Sequence, residues 1–571
     1  MNPRSVRLVF LAVAYACGSS PASDAPAPVG ALAAAESLYL ELRDTGDRIE
    51  VARAAGRNAA RDGTSLSTLT RRHEELRRAV AARLGAVDST QLAGDDARAL
   101  ATMRRTLDRD LAPLRDSSGA IEPAQPECAY DPAALAATRY GLDSLRARIY
   151  ACYGRAQQQV AVGSDTMDRL SVLGAIGRTD DPAERRRLFL SLDPVWRTIN
   201  AGNEPGSPYR RLIALEAEAR AGREPPEARQ ARLSGVPPDS LERWLIAILE
   251  TWRDANPDSM IEPWDWYYRT GRPGRELGGR VSRERLTELN TAVYRALGAD
   301  LPALNIRYDL GPRQGKTPVA FCTFGARPRL RAGRWTPGEP SVFATYRDGG
   351  LDNLAELLHE TGHAVHIAAI RTRPAFADWP DSDPFTEAIA DFVALDVAEP
   401  VWQQRWLGDS VPLADGLRSR YGGIVLDVAW SLLELRMLRD PTTDPNQEWS
   451  RLTHQYLRVR PHSEVSWWAM RGQLVDSPGY MMNYAVGAMI IAAIRARTVE
   501  VHGPFAGGDS TWYAWASREL FRFGLERATR QVIEEFLGGP VGPPQFKKPD
   551  GSRGVPCAQS SPPSSLVSRT A

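Results

Sequence analysis

A His-Glu-x-x-His motif, formed by His359, Glu360 and His363, is the part of the sequence best suited to chemistry. On an α-helix, residues four apart leave the same face about one turn from each other. Two neutral imidazoles at that spacing can bind one zinc ion at about 2.0–2.1 Å. Glu360 lies about 100° further round the helix, where its carboxylate can act on a water molecule beside the ion without ligating it. The motif therefore predicts a zinc site for hydrolysis.

The distribution of histidines supports this interpretation. The chain contains seven histidines in 571 residues, and three of them lie between positions 359 and 366. The alternative is a buried amphipathic helix with unrelated histidines, since Leu354, Leu357 and Leu358 would suit such a helix. Imidazoles without partners fit an apolar face poorly, because burying an unsatisfied polar group costs free energy. The spacing therefore favours the metal site.

A catalytic zinc needs three protein ligands and one open position, so a third ligand must come from elsewhere in the chain. The extension typical of metzincins would require Gly at position 366 and His at position 369, whereas the chain has His366 and Ala369. The acidic candidates within a suitable distance along the chain are Asp378, Asp381, Asp383, Glu387, Asp391 and Asp396.

Glu387 and Asp391 are the strongest of these candidates. Asp383-Pro384 predicts a helix start with Asp383 as its N-cap, and the helix that follows is largely apolar. Glu387 and Asp391 stand four apart on that helix, which is costly unless a cation faces them. We therefore assign Glu387 as the third ligand and Asp391 as the hydrogen-bond partner of a ligand imidazole. An ordinary solvated glutamate is the alternative for Glu387.

The residues that begin at Thr386, with Glu387 24 positions after His363, resemble the angiotensin-converting-enzyme (peptidyl-dipeptidase A) family of zinc metallopeptidases. The segment Leu351–Leu354 is similar to that family's lead into its zinc helix. A secondary similarity, through His363–His366 and a β-hairpin before the helix, is to the thimet oligopeptidase family.

Both families imply a mainly α fold with two lobes around a deep channel. They also imply an N-terminal helical lid and a small β-sheet beside the zinc helix. The resemblance covers only about residues 320–400 and 475–495. In the family, the aspartate equivalent to Asp391 orients an imidazole, which by resemblance would be that of His363.

The segment Gly479–Gly487 resembles both families at a second place. There, a tyrosine donates a hydrogen bond to the oxyanion of the tetrahedral intermediate, and Tyr484 matches that position. Tyr480, one turn earlier, is a candidate for binding substrate, as is Thr323, which follows Cys322 where the converting-enzyme family has a histidine. A core tyrosine is the alternative for Tyr480 and Tyr484.

Departures from the converting-enzyme family bear on specificity. That family carries a histidine and a lysine before the catalytic tyrosine, whereas no His or Lys lies near Leu474 and Val475. Asn483 replaces the arginine that binds chloride, so chloride activation is not predicted. Arg471 is a candidate for the missing cation that would bind a substrate's terminal carboxylate.

These residues predict zinc-dependent hydrolysis of peptide bonds in oligopeptides, with Glu360 as general base and Tyr484 at the oxyanion. Peptidyl-dipeptidase action follows from the closer resemblance. An oligo-endopeptidase of the thimet type follows from the missing carboxylate-binding residues. An inactive peptide-binding lipoprotein on a peptidase scaffold is the alternative of another class.

The N-terminus predicts export. Arg4 and Arg7 precede the apolar run Leu8–Ala16, so residues 1–16 have the pattern of a signal peptide. Cys17 directly after it resembles the lipidated cysteine of a bacterial lipoprotein, which would tether the protein to a membrane facing the periplasm or exterior. Plain secretion is the alternative.

Further along the chain, residues 17–30 have the composition of a flexible tether. Residues 31–545 are predicted to form the catalytic domain. Residues 546–571 have the composition of a disordered tail.

Bulk composition is that of a soluble globular protein, with 43% hydrophobic and 25% charged residues. The net charge of +1 gives no basis for nucleic-acid binding.

Export permits disulfide bonds. Cys128–Cys152 is the favoured pair, whereas Cys322 is expected to be a buried thiol.

Most of the sequence has helical periodicity, including residues 31–114, 133–159, 166–176 and 182–199. Asp181-Pro182 predicts a helix start, and Asp352 is expected to cap the helix that carries the His-Glu-x-x-His motif. Pro318–Phe324 and Pro340–Tyr346 predict a β-hairpin, whose edge could accept an extended peptide as an added strand.

Overall fold

The computed structural model describes residues 28–109, 128–130, 135, 141–313, 316, 319–331 and 334–542. The predicted signal peptide, Cys17 and the tail at 546–571 lie outside the described residues. The first helix begins at Pro28, so the last three residues of the predicted tether at 17–30 are helical.

Helices form most of the described chain, which confirms the predicted mainly α fold. In the N-terminal half they are α1 (Pro28–Ala54), α2 (Leu66–Gly85), α3 (Gly94–Arg109), α4 (Leu142–Ala156), α5 (Arg169–Arg178), α6 (Pro182–Leu190), α7 (Asp193–Asn200), α8 (Pro208–Arg220), α9 (Pro226–Leu233), α10 (Leu241–Ala255), α11 (Trp266–Thr270), α12 (Arg272–Leu277) and α13 (Arg283–Ala296). In the C-terminal half they are α14 (Leu351–Ala369), α15 (Asp383–Ala394), α16 (Pro400–Leu407), α17 (Leu413–Arg439), α18 (Pro445–Leu457), α19 (Gln473–Asp476), α20 (Met481–Val501), α21 (Trp512–Ala516) and α22 (Thr529–Leu537).

The strands are short: β1 (Val160–Val162), β2 (Asp165–Met167), β3 (Arg307–Asp309), β4 (Phe321–Thr323), β5 (Arg329–Arg331), β6 (Arg334–Thr336) and β7 (Ser341–Phe343). β4 pairs antiparallel with β7, with Cys322 opposite Val342, which confirms the predicted pairing of the two runs. β3 joins β7 in parallel, so the order is β3-β7-β4 and β4 is an edge strand. Both β4 and β7 contact α14.

Several predicted element starts are wrong. Asp352 does not cap α14, whose N-cap is Gly350 at φ 109° with no side-chain capping bond. Asp383 is not the N-cap of α15, because Ser382 takes that position and accepts a hydrogen bond from the Phe385 N–H. Both aspartates instead fall in the first turn, where a negative charge still favours the helix dipole.

Two predicted helices also differ in extent. The run predicted at 166–176 begins as strand β2, and α5 starts only at Arg169. The run predicted at 182–199 is divided into α6 and α7, because the chain turns at Ser191–Leu192. The predicted start at Asp181 is confirmed, since its carboxylate accepts a hydrogen bond from the Ala183 N–H.

The first three helices form a unit with its own small core. Leu32, Tyr39, Leu76 and Met103 are among the residues buried within it. This core extends to Phe376, in the segment that links α14 to α15. The N-terminal helices therefore pack beside the segment that connects the two helices bearing the predicted ligands.

The main core lies between helices that pack against one another. Four of them pack in succession: α14 on α15, α15 on α20, and α20 on α17. Its largest buried side chains include six tryptophans, which are Trp196, Trp402, Trp449, Trp467, Trp468 and Trp512. The predicted disulfide is confirmed, since Cys128 and Cys152 are bonded. Cys322 is a free, half-buried thiol, and burial raises its pKa.

Among the described helices, none combines the length and hydrophobicity needed to cross a membrane.

Candidate metal centre

A close approach between α14 and α15 brings the predicted ligands together. Gly362, within the His-Glu-x-x-His motif, faces the backbone of Ala390. A Cβ atom at position 362 would lie 2.5 Å from the carbonyl oxygen of Ala390. Because only glycine allows this contact, the imidazoles on α14 can reach the carboxylates on α15.

A second close approach places α20 against α15. A Cβ at Gly487 would lie 2.9 Å from the Pro384 carbonyl oxygen and 3.5 Å from Cβ of Glu387. The first turns of α20 therefore run beside Glu387, and these turns carry Tyr480 at the N-cap and Tyr484.

His359, His363 and Glu387 converge at one point. One nitrogen or oxygen atom from each lies within 4.8 Å of the others. Nε2 of His359 is 3.5 Å from Oε2 of Glu387. Ligand atoms about 2.0 Å from a tetrahedral zinc ion lie about 3.3 Å from one another, so this separation suits a shared ion. Two imidazoles and a carboxylate form a donor set typical of catalytic zinc.

Asp391 orients His359, not His363. Its Oδ1 lies 2.7 Å from Nδ1 of His359, which leaves Nε2 of that ring directed toward Glu387. The prediction that Asp391 contacts a ligand imidazole is confirmed, but the choice of His363 is wrong. Nδ1 of His363 is buried and has no hydrogen-bond partner among the described residues.

The imidazoles differ in their protonation. Burial lowers the pKa of His363 to about 3, and the charge of His359 adds to that effect, so His363 is neutral and able to ligate. Burial also opposes the charged form of His359, but Asp391 and Glu387 outweigh it and raise the pKa of that ring. Burial likewise raises the pKa of Glu387, yet the imidazole of His359 that faces its carboxylate and the neighbouring ring of His363 lower the pKa overall. When no metal ion is bound, the proton on His359 and the carboxylates of Asp391 and Glu387 therefore stabilise one another.

Glu360 lies in an environment unlike that of the other carboxylates. It is 7% exposed, and its Oε2 has no hydrogen-bond partner among the described residues. Burial raises its pKa to about 8, although the neighbouring His359 opposes the shift. A carboxylate with a pKa in this range can both take and return a proton near neutral pH.

Tyr484 lies beside a cation. The guanidinium of Arg471 is 5.6 Å from the centre of the Tyr484 ring and 4.8 Å from that of Trp430. Arg471 forms an ion pair with Asp427, and Gln473 donates a hydrogen bond of 3.4 Å to the Tyr484 hydroxyl. Burial and the nearby Glu387 carboxylate raise the pKa of Tyr484, so its phenol stays protonated and can donate.

The two predicted substrate-binding residues are already engaged. The Tyr480 hydroxyl donates to Oε1 of Glu387 at 3.1 Å. Thr323 is buried, and its hydroxyl donates to Glu50 of α1 at 3.0 Å. Their roles in binding substrate stay predictions.

Two residues at the site were missed by the reading of the sequence. Asp427 pairs with Arg471, and Glu434 is buried beneath the start of α20, where one oxygen accepts a hydrogen bond from the Met481 N–H. Both belong to α17, whose sequence has no recognisable motif. The only feature of the sequence that could have indicated these residues is the presence of two carboxylates within the apolar segment of a long helix.

Several solved structures share this fold across most of the chain. A protein described as CHT matches with a TM-score of 0.52 at 14% identity, covering 90% of this chain and 97% of its own. Trypanosoma cruzi metallocarboxypeptidase 1 matches with a TM-score of 0.50 at 12% identity, with the same coverage. The M32 carboxypeptidase from Deinococcus radiodurans R1 matches with a TM-score of 0.50 at 16% identity, again with that coverage.

No family model matches the chain, and no curated protein is detectably similar to it in sequence. The structural likeness therefore shows the fold, which is the helical fold of the metallocarboxypeptidases named above.

Proposed function

We propose that this protein is a zinc-dependent peptidase that acts on the C-terminal end of oligopeptides. The observation that carries the proposal is the convergence of His359, His363 and Glu387, with the carboxylate of Glu360 buried beside them. Zinc held by the three ligands would polarise the scissile carbonyl and lower the pKa of water.

The side chains around the centre supply the other parts of a hydrolytic mechanism. Glu360 accepts a proton from the attacking water and passes it to the leaving amine. One oxygen of this buried carboxylate has no hydrogen-bond partner among the described residues, which leaves it available for both steps. Asp391 holds the His359 ring so that Nε2 stays available for the ion.

Tyr484 is proposed to donate its phenolic hydrogen to the oxyanion that forms from the scissile carbonyl. Its location one turn into α20, beside Glu387, supports this role. The hydrogen bond from Gln473 and the ring contact with Arg471 hold the side chain in place.

Removal of C-terminal dipeptides is the specificity implied by the resemblance to peptidyl-dipeptidases. Arg471 supports action at a free C-terminus, because its side chain is partly exposed and lies beside Tyr484, where a guanidinium could bind a terminal carboxylate. Removal of single residues is the second candidate, favoured by the names of the structural neighbours, which are carboxypeptidases. Oligo-endopeptidase action and peptide binding without turnover are the remaining alternatives.

Digestion of a decapeptide, followed by mass spectrometry of the products, separates these specificities. We expect loss of residues in pairs from the carboxyl end, and no cleavage of the same peptide with an amidated C-terminus. Single-residue steps would identify a carboxypeptidase, and internal fragments an endopeptidase.

Glu360→Gln tests the chemistry. This variant should keep its zinc and lose hydrolysis. A wild-type protein that holds no zinc and cleaves nothing would contradict the proposed function.

We also propose that the protein is exported and anchored through Cys17, on the basis of the N-terminal pattern. Wild type and Cys17→Ser should differ in membrane fractionation, with the variant released in soluble form. Equal release of both proteins would favour plain secretion.

A further inference from the structure

We propose that Tyr480 is a positioning residue that fixes the orientation of the Glu387 carboxylate and thereby sets the affinity of the site for zinc. This inference rests on the proposed zinc site. It assigns Tyr480 to the metal centre and not to the binding of substrate.

The two oxygens of Glu387 have separate partners. Oε1 accepts a hydrogen bond of 3.1 Å from the Tyr480 hydroxyl, and Oε2 lies 3.5 Å from Nε2 of His359. With Oε1 held by the phenol, Oε2 is the oxygen that faces the imidazoles. The arrangement favours a carboxylate that would bind an ion through one oxygen, with the plane of the carboxylate fixed by the second.

Tyr480 is held by the backbone around it. The Met481 N–H donates to Oε2 of Glu434 at 3.1 Å, and the Met481 carbonyl accepts from the Ser431 hydroxyl at 2.8 Å. Arg220 donates to the Pro478 carbonyl at 2.9 Å. Glu434 and Ser431 are both buried, so these bonds are protected from competing water. The start of α20 is therefore anchored on both sides of Tyr480.

Side-chain packing restricts the ring as well. The Tyr480 and Tyr484 rings meet edge to face, with centres 5.6 Å apart. The close approach at Gly487 fixes the distance between α20 and α15, as described above. A phenol constrained in this way loses little conformational entropy when it holds a carboxylate, which makes it an effective orienting group.

Groups that hydrogen-bond to metal ligands have a measurable effect on affinity. Loss of such a partner typically weakens metal binding about 10- to 100-fold. Substitution of a residue that only binds substrate would leave the zinc affinity unchanged and would alter KM. The two roles for Tyr480 thus differ in a quantity that can be measured without substrate.

The test is a competition for zinc between the purified protein and a chromophoric chelator, carried out on wild type, Tyr480→Phe and Tyr484→Phe. Tyr480→Phe removes one hydroxyl and should weaken zinc binding about 10- to 100-fold. Tyr484→Phe is the matched control, because the same atom is lost one turn away, and its zinc affinity should equal that of wild type. Thermal unfolding of the zinc-free proteins verifies that the variants fold.

A double-mutant cycle with Glu387→Ala, which removes the acceptor oxygens, separates a local effect from a general one. If Tyr480 acts through Glu387, its substitution should change little once that carboxylate is gone. An equal loss in both backgrounds, or a zinc affinity in Tyr480→Phe that matches wild type, would overturn the inference. If wild type binds no zinc, the proposed function fails, which is a different outcome.

Discussion

Three carboxylates within one small region are specialised by their surroundings. Glu360 is buried without a partner and holds a proton readily, Glu387 is stabilised as an anion by the imidazoles, and Asp391 is bonded to Nδ1 of His359. Burial alone raises the pKa of a carboxyl, whereas a cationic partner lowers it. The same residue types can therefore serve as base, ligand and orienting group.

Tyr484→Phe tests the oxyanion role. Loss of one hydrogen-bond donor at an oxyanion typically lowers kcat about 10²- to 10³-fold. We expect a loss of that size with little change in KM, because the bond forms chiefly in the transition state. Steady-state kinetics on a fluorogenic peptide measures both constants, and a purely KM-based effect would contradict the assignment.

Glu434 predicts a specific dependence of stability on pH. Burial raises its pKa from 4.5 to about 8 in the folded chain. Between these values the folded state holds the extra proton, so this group makes the free energy of unfolding fall as pH rises from about 4.5 to about 8. Glu434→Gln should remove that part of the dependence.

Thermal unfolding across this pH range measures the effect of Glu434→Gln. The control is Glu250→Gln at an exposed position, which should keep the wild-type profile. A Glu434→Gln profile as steep as that of wild type would contradict the prediction.

At the scale of single residues, the sequence was sufficient to predict that His359, His363 and Glu387 converge, but not which side chains contact them. The four-residue spacing on a helix places His359 and His363 on one face whatever the fold. Whether Asp391 meets one ring or the other depends on the axial offset of α14 against α15, and that offset is set by the contact between Gly362 and Ala390. No local pattern encodes such an offset.

At the scale of elements, close helix packing is the feature that assembles the site. Gly362→Ala should destabilise the fold, because its Cβ would meet the Ala390 carbonyl at 2.5 Å, and such overpacking typically costs about 1–3 kcal/mol. It should also weaken zinc binding by separating the ligands. Denaturant unfolding and zinc titration measure the two effects.

Gly423→Ala is the matched control for Gly362→Ala. Gly423 is an exposed residue within α17 with no atom near its Cβ direction, so alanine should stabilise that helix by up to about 1 kcal/mol. Stabilisation by both substitutions would show that α14 and α15 can move apart without cost.

Element starts were predicted less well than element types. The acid-Pro pattern at Asp383 suggested the N-cap, but Ser382 precedes it and its hydroxyl can cap equally well. The strand at Asp165–Met167 pairs with Val160–Val162 through a tight turn, a contact that overrides weak local helical preference. The β4–β7 pair was predictable because both runs are rich in β-branched and aromatic residues.

At the scale of the whole molecule, ion pairs link the N-terminal helices to the rest of the chain. Arg327 is 3% exposed, and it donates to Asp47 of α1 at 3.2 Å and to Asp378 at 3.0 Å. Arg43 of α1 also pairs with Asp378, at 2.6 Å. Asp378 is followed by Trp379, whose ring packs edge-on against the ring of His363. The N-terminal unit thus connects with the metal centre through this network.

Arg327→Ala should destabilise the protein by about 3–5 kcal/mol, because it leaves the buried carboxylate of Asp47 without the guanidinium that it contacts. The control Arg78→Ala removes an arginine whose side chain is 71% exposed, and should change stability by less than about 0.5 kcal/mol. Denaturant unfolding measures both values. A loss for Arg327→Ala as small as for Arg78→Ala would mean that the network contributes little.

The overall fold was predictable in class because helical periodicity dominates the sequence. The ion pairs between distant segments were not predictable, since Arg327 and Asp47 are 280 positions apart, Arg43 and Asp378 are 335 apart, and neither pair carries a local sign of its contact. The ion pair between Arg471 and Asp427 likewise joins residues from different parts of the chain.

The central claim is that His359, His363 and Glu387 bind a single zinc ion. X-ray absorption at the zinc edge of the purified protein tests it most directly. The account predicts one zinc per chain, with two imidazoles and otherwise oxygen ligands at about 2.0–2.1 Å. A sulfur ligand at about 2.3 Å, or fewer than two imidazoles in the first shell, would contradict it.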